Sequence, residues 1–150
     1  MSVVEFKYGL ICDSIRKEYN GKYIFIGVYT GDILMSSLPG KLKLDFWVNM
    51  TVTDPPKDSE MTVQVIQEGE ERPAAELKIG LGPDPDGGAE PEDVSFVLPN
   101  VPFTIESGAA IVLRGRYKSG KWINILRKPV GELPRDQAEL VSQQSLMGPV

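Results

Sequence analysis

Residues 41–53, KLKLDFWVNMTVT, carry the feature that most constrains the fold. Every even position is apolar, and every odd position is polar except Trp47. A period of two is typical of a β-strand with one buried face, and thirteen residues are enough to cross a whole sheet. Gly40 precedes the segment and Asp54-Pro55-Pro56 ends it, as turn-forming residues do. A long strand of this kind needs a covered sheet, so the chain is expected to be a β protein.

Shorter segments show the same alternation with less regularity: 6–12, 61–65, 77–81, 94–98 and 101–105. Two hairpins are also predicted. In the first, Asn20-Gly21 joins 15–19 to 22–29, because this pair tolerates the positive φ that a two-residue turn needs at both positions. In the second, Lys118-Ser119-Gly120 joins 109–117 to 121–128.

The count of eight to ten strands without βαβ alternation predicts an all-β, antiparallel β-sandwich, immunoglobulin-like or C2-like, with a partly open barrel as the alternative. We expect one domain over residues 1–133 and a tail over 134–150. Pro134 and Gly148-Pro149 would bound a short helix in that tail, and a flexible tail is the other reading. Residues 82–93 are expected to form a surface loop.

Residue composition excludes much chemistry. The chain has no histidine and one cysteine, Cys12, so His-dependent nucleophiles and imidazole zinc sites are excluded. No phosphate, dinucleotide or hydrolase motif occurs, and we predict a protein that is not an enzyme and has no cofactor. Carboxylates remain as catalytic candidates by residue type alone: Asp13, Glu18, Asp32 and Asp45. The lone cysteine and the lack of a signal-like or membrane-spanning segment predict a cytoplasmic protein.

The charge of the chain is unevenly distributed. Residues 51–105 hold 12 acidic and 3 basic side chains, a net charge of −9, and residues 106–150 hold 4 acidic and 7 basic, a net charge of +3. A net acidic chain disfavours nucleic-acid binding. The asymmetry would steer a protein partner or self-association, or it reflects solvated loops. Asp84, Asp86 and Glu90 are a weak calcium candidate, because the EF-hand spacing is not met.

Two polar-face features are candidate interfaces. Arg114 and Arg116 are two residues apart and share a strand face with Lys118, and Lys121, Arg127 and Lys128 are expected on or near the partner strand. They would bind a phosphate or an acidic partner, or protect a sheet edge. Trp47 stands on the polar face of its strand as an interface anchor, unless the chain covers it.

The segment YNGKYIFIGVY, residues 19–29, is apolar on both faces. Ile24, Ile26 and Val28 lie on one face, and the aromatic side chains lie on the other. A sandwich strand is normally apolar on its inner face only. The second face is therefore expected to be covered by residues 140–147, by the neighbourhood of Trp47, or by a second chain.

Residues 9–33 resemble a family of small bacterial proteins known only as a domain of unknown function. The matching positions are Cys12, Asp13, Arg16, Asn20, Gly21, Lys22, Gly27, Val28, Tyr29, Asp32 and Ile33. The resemblance implies a compact all-β domain of bacteria or their phages, and supplies no reaction. It also suggests a structural corner at Cys12, Asp13 and Arg16, in which a buried Asp–Arg pair would satisfy both charges.

These observations lead to three functional hypotheses. The first is a β-sandwich that acts through protein–protein contacts, as an adaptor or assembly component, with a protein partner or self-association. The second is a small-ligand or carbohydrate-binding module, and the third is a structural protein of a phage or other particle. No nucleic acid or membrane is expected among its partners.

Overall fold

The computed structural model describes residues 3–134, which form nine strands and no helix. The strands are β1 (Val4–Lys17), β2 (Tyr23–Val28), β3 (Ile33–Met35), β4 (Gly40–Val52), β5 (Ser59–Gln67), β6 (Ala75–Leu81), β7 (Glu92–Ile105), β8 (Ala110–Tyr117) and β9 (Ile123–Glu132). The predicted all-β class and the predicted strand number are confirmed. The helix or tail predicted after Pro134 lies outside the described residues, and the domain boundary there stays a prediction.

The strands form two sheets. The first sheet has the order β2-β1-β4-β7, and the second has the order β3-β9-β8-β5-β6. All pairings are antiparallel except that of β3 with β9. The even positions of β4 face the core as the alternation predicted, and they pack with the inward side chains of β5 and β8. The largest fully buried side chains of the whole core are Phe46, Ile11, Ile33, Leu44, Met50, Met61, Ile105, Ile111 and Leu113. The protein is therefore a β-sandwich and not a closed barrel.

The two sheets approach closely at two glycines. A Cβ at Gly115 would lie 2.4 Å from the ring of Phe6, and one at Gly9 would lie 2.7 Å from the side chain of Leu113. Because a real Cβ would not fit at such distances, each glycine makes room for a large side chain of the opposite sheet.

The first hairpin is confirmed, but its turn differs from the predicted one. The Gly21 N–H donates to the Glu18 carbonyl at 3.0 Å, and only Gly21 has positive φ, at 85°. Asn20 keeps negative φ, and its side-chain oxygen accepts the Lys22 N–H at 3.2 Å. The turn is thus a longer one that ends on a left-handed glycine, a common alternative to the two-residue form.

The segments 94–98 and 101–105, predicted as two strands, form the single strand β7. Pro99 and Asn100 lie between them, and Asn100 adopts a φ of 53°. The pairing with β4 shifts at the same place, between Leu44 and Phe46. Because β7 is a terminal strand of its sheet, prolines within it cost no ladder hydrogen bond on its free side.

Candidate interaction surfaces

Strand β2 exposes one apolar face, which the neighbourhood of Trp47 does not cover; residues 140–147, the other cover expected from the same chain, lie outside the described residues. The side chains of Ile24, Ile26 and Val28 are 41%, 43% and 38% exposed. We call these three residues the β2 surface. At the hairpin end, Tyr19 and Tyr23 line a shallow depression together with Ile24, which extends the apolar area. Three exposed β-branched side chains in a row make the β2 surface a candidate contact site.

Strand β2 also differs from the other terminal strands of the two sheets. Strand β7 carries Pro99 and Pro102, β3 has three residues, and β6 carries Glu76 and Lys78. Prolines, short length and charges are the usual means of preventing edge-to-edge pairing. None of these occurs in Tyr23–Val28, although a positive φ of 68° at Gly27 interrupts the strand near its end. The uninterrupted edge is therefore residues 23–26.

The opposite face of β2 is covered within the chain. Phe25 lies edge-on to Trp47, with ring centroids 5.5 Å apart and planes at 73°. Trp47 is therefore half-buried, and its Nε1 is a buried donor without a partner among the described residues. Of the two readings of Trp47, the structure favours a side chain covered by its own sheet over an open interface anchor.

At the corner suggested for Cys12, Asp13 and Arg16, Asp13 interacts with residues other than Arg16. Asp13 and Arg16 are both exposed, and no ion pair joins them. Asp13 instead accepts a hydrogen bond from the Tyr29 hydroxyl at 2.7 Å. A Cβ at Gly27 would lie 2.3 Å from the same carboxylate. The prediction of a buried Asp–Arg pair was wrong, because Arg16 lies three residues further along a strand and turns to solvent.

The titratable groups of this corner are shifted by their surroundings. Burial, the hydrogen bond to Asp13 and the charge of Asp13 raise the pKa of Tyr29 to about 12. Burial raises the pKa of the Cys12 thiol, and the carboxylates of Asp45 and Asp13 add to the shift. Cys12 is buried and thus has neither the exposure nor the thiolate character of a reactive cysteine.

Among the four carboxylates considered for catalysis, Asp45 is held in a structural role. Its side chain is 6% exposed, and its two oxygens accept the N–H groups of Ile15 and Asn100, each at 2.8 Å. Ile15 belongs to β1 and Asn100 to β7, so one carboxylate ties both neighbours of β4. It does so where the β4–β7 register shifts, because the irregular backbone there leaves N–H groups to satisfy.

The outer face of the second sheet carries a row of polar side chains. Glu76, Gln64 and Arg114 lie side by side on β6, β5 and β8. The Gln64 oxygen accepts from Arg114 Nε at 3.2 Å and Nη2 at 2.8 Å, and the Gln64 amide donates to Glu76. Gln64 is only 9% exposed. Its buried amide therefore fixes the direction of the Arg114 guanidinium.

Arg116 lies one step along the same face and has no comparable partner. Its neighbour across the β5 pairing is the buried Thr62, and its Nε is a buried donor that makes no hydrogen bond in the described part of the chain. The guanidinium carbons of Arg114 and Arg116 lie 4.2 and 4.4 Å from the centroid of the Trp122 ring. One indole thus holds both cations by cation–π attraction.

We call Arg114, Arg116, Lys118, Lys121 and Trp122 the arginine surface. Lys118 and Lys121 are exposed at the β8–β9 turn beside it. The other two cations expected there belong elsewhere: Arg127 pairs with Glu68, and the Lys128 amine donates to the Thr30 carbonyl at 3.2 Å. Trp122 is half-buried over the guanidinium groups and is not a core residue.

The surface loop predicted over residues 82–93 is shorter in the structure, because Glu92 and Asp93 begin strand β7. Residues 82–91, which we call the acidic loop, connect β6 to β7. The Asp84 side chain accepts the Asp86 N–H at 2.9 Å, and its carbonyl accepts the Gly87 N–H at 3.0 Å. Across residues 3–134, no three acidic or sulfur groups come close enough to hold a metal ion. The structure therefore does not bring Asp84, Asp86 and Glu90 together as calcium ligands.

A scan against models of protein families finds no match to this chain, and neither does a search among curated proteins. Among the residues the structure describes, no helix has the length and apolar character needed to span a membrane.

Proposed function

We propose that the protein works by protein–protein contact, as a non-catalytic adaptor or assembly component, and that its β2 surface receives an extended segment of the partner. The observation that carries this proposal is the exposure of Ile24, Ile26 and Val28 on an edge strand. A partner strand would pair with the free backbone of residues 23–26, and its side chains would cover the apolar face. The same process on repeated copies would build a particle, which is the alternative structural role.

A carbohydrate-binding role has less support. Such sites present an open aromatic face to the sugar, whereas Trp47 packs on Phe25 and Trp122 lies over two guanidinium groups. The bacterial or phage origin and the cytoplasmic location are further predictions, which derive from the resemblance and from the cysteine content of the sequence.

Site-directed photocrosslinking tests the proposal. A photoreactive phenylalanine analogue replaces Ile26, the protein is irradiated in cells that express it naturally, and the adducts are identified by mass spectrometry. The matched control places the analogue at Ile123, which is 51% exposed but belongs to the second sheet. We expect adducts with a defined protein at position 26 that the control does not give.

Hydrogen exchange then locates the contact. Binding of the identified partner, prepared pure, should slow exchange at the amides of residues 23–26, because strand pairing engages backbone groups. If position 26 gives no adduct beyond that of position 123, or if protection falls on another strand, the β2 surface is not the contact site.

A further inference from the structure

We infer that the arginine surface binds carboxylates of an acidic polypeptide segment, and that this segment is the acidic loop of a second copy of the chain. The inference rests on the proposed protein–protein function and identifies one partner for it, at a surface separate from β2. Three observations support it: the arginine side chains are held in place before any ligand binds, the two segments carry opposite charge, and both stand at the same end of the second sheet.

The arginine surface is organised before any ligand arrives. Gln64 fixes Arg114 through two hydrogen bonds, and Trp122 confines both guanidinium groups under one ring. A long cationic side chain usually loses much rotamer freedom on binding, and confinement removes part of that loss. The remaining N–H groups of two neighbouring guanidiniums offer the paired donors that carboxylates accept best.

The cations also outnumber the anions around them. Arg116, Lys118 and Lys121 make no ion pair within residues 3–134, and Lys118 contacts Glu60 through its backbone N–H, which donates to the Glu60 carbonyl at 2.8 Å. The Nε of Arg116 is buried and has no acceptor among the described residues, so the guanidinium is not held by an anion of its own sheet.

The chain itself supplies a complementary segment. Asp84, Asp86 and Glu90 of the acidic loop are exposed, and no ion pair of the described residues involves them. The uneven charge along the sequence thus includes a charge difference between two surfaces, the acidic loop and the arginine surface. Two copies with a net charge of −5 repel each other weakly at distance, and local complementarity sets their orientation.

The acidic loop and the arginine surface are placed so that each could contact its counterpart on a second copy. Ser59 pairs with Leu81, and Met61 pairs with Tyr117, so the acidic loop and the β8–β9 turn stand at the same end of the second sheet. Strands β6 and β9 are three spacings apart, about 14 Å at the usual strand separation. A two-fold axis between them would lay each copy's loop on the other's arginine surface, which gives a closed dimer.

Charge reversal tests this arrangement in the full chain. The patch-reversed variant carries Arg116→Glu and Lys118→Glu, which leaves the Gln64–Arg114 contact in place. The loop-reversed variant carries Asp86→Lys and Glu90→Lys. Sedimentation velocity should show a wild-type dimer at low salt that dissociates at about 0.5 M salt, where surface charges are screened. Each variant alone should weaken the dimer about tenfold or more, as loss of a hot spot does.

Mixing the two variants gives the decisive result. In the mixture, the new carboxylates at positions 116 and 118 of the patch-reversed copy face the new lysines of the loop-reversed copy. The unchanged acidic loop of the first copy faces the unchanged arginine surface of the second, so both contacts are complementary again at the exchanged positions. We expect an equimolar mixture to form a heterodimer. The control Lys41→Glu with Lys43→Glu makes the same change in net charge on the first sheet; alone it should dimerise like the wild type.

Four results would overturn the inference. They are a wild type that is monomeric at low salt, reversed variants that dimerise normally, a mixture that stays monomeric, and a charge control that loses its dimer. Circular dichroism verifies that each variant is folded, and Arg116→Ala with Lys118→Ala replaces a patch-reversed variant that is not. A salt-dependent dimer without crosslinks at position 26 would support this inference and contradict the β2 proposal. Crosslinks at position 26 from a protein that forms no dimer would support the β2 proposal and contradict this inference.

Discussion

Asp45 and Gln64 lie at equivalent positions in the two sheets but have different structural roles. Each is a buried polar residue on the outer face of a strand that has neighbours on both sides, and each connects both neighbours. Asp45 accepts two backbone N–H groups at a register shift. Gln64 connects two charged side chains, Glu76 and Arg114. The hydrogen bonds of Asp45 satisfy backbone N–H groups, whereas those of Gln64 orient the charged side chain of Arg114.

The two sheets also reverse the usual relation between polarity and burial. On the second sheet, the polar Thr62 and Gln64 are buried beside their cross-strand neighbours Arg116 and Arg114. On the first sheet, the apolar Ile24 and Ile26 are exposed. Burial is therefore set by what lies above a position, and a buried polar or an exposed apolar residue is the informative observation. Substitutions on the two faces should differ accordingly in their effect on stability.

Asp45→Ala should have the largest effect on stability. It removes both acceptors at once and leaves two N–H groups unsatisfied at a partly buried register shift. We expect a loss of about 3 kcal/mol in the free energy of unfolding, measured by chemical denaturation. Asp32→Ala is the control, because that carboxylate is exposed and should change stability by less than about 0.5 kcal/mol. Equal losses in the two variants would contradict the structural role of Asp45.

Gln64→Leu should have a smaller effect on stability and a larger one on contact. Arg114 and Glu76 lose a partner but can turn to water, so we expect a loss of about 1 kcal/mol. Because the Arg114 guanidinium is no longer held in place by Gln64, the salt-dependent dimer should be weaker. Sedimentation velocity measures this loss of affinity. The matched control is Gln67→Leu on the same strand, outside the Glu76–Gln64–Arg114 row. A Gln64 variant that loses stability and keeps full dimerisation would make Gln64 a structural residue like Asp45.

Side-chain period explains why much of the fold could be predicted. The alternation in 41–53 identified the core face of β4, and turn residues located both hairpins, because these signals are local. Asp45 and Gln64 lay in view as polar residues of alternating strands, but their partners are 30 to 55 and 12 to 50 residues away in sequence. Alternation reports which face a side chain is on. It does not report which strand lies beside it, and so the bridges and the Asp13–Tyr29 contact were missed.

Tyr29→Phe probes the first sheet at its corner through pH. The pKa of Tyr29 is raised from 10.0 to about 12 in the folded state, so its stabilising contribution is complete below pH 10 and is lost as pH rises to 12. We expect the wild type to exceed Tyr29→Phe by about 0.5–1 kcal/mol at neutral pH, with the difference shrinking across that window. Thermal unfolding at several pH values measures it. Tyr19→Phe, at a fully exposed position, should match the wild type throughout.

The double variant Ile24→Thr with Ile26→Thr should change stability least. It tests directly whether the exposed apolar side chains of β2 contribute to the core. Threonine keeps the β-branched shape that a strand favours, and both positions are already exposed, so the free energy of unfolding should change by less than about 0.5 kcal/mol. The crosslinked partner of position 26 should bind more weakly, because the apolar area for contact is gone. A loss near that of Asp45→Ala would mean that these side chains are covered in the folded protein, and that the β2 surface belongs to the core.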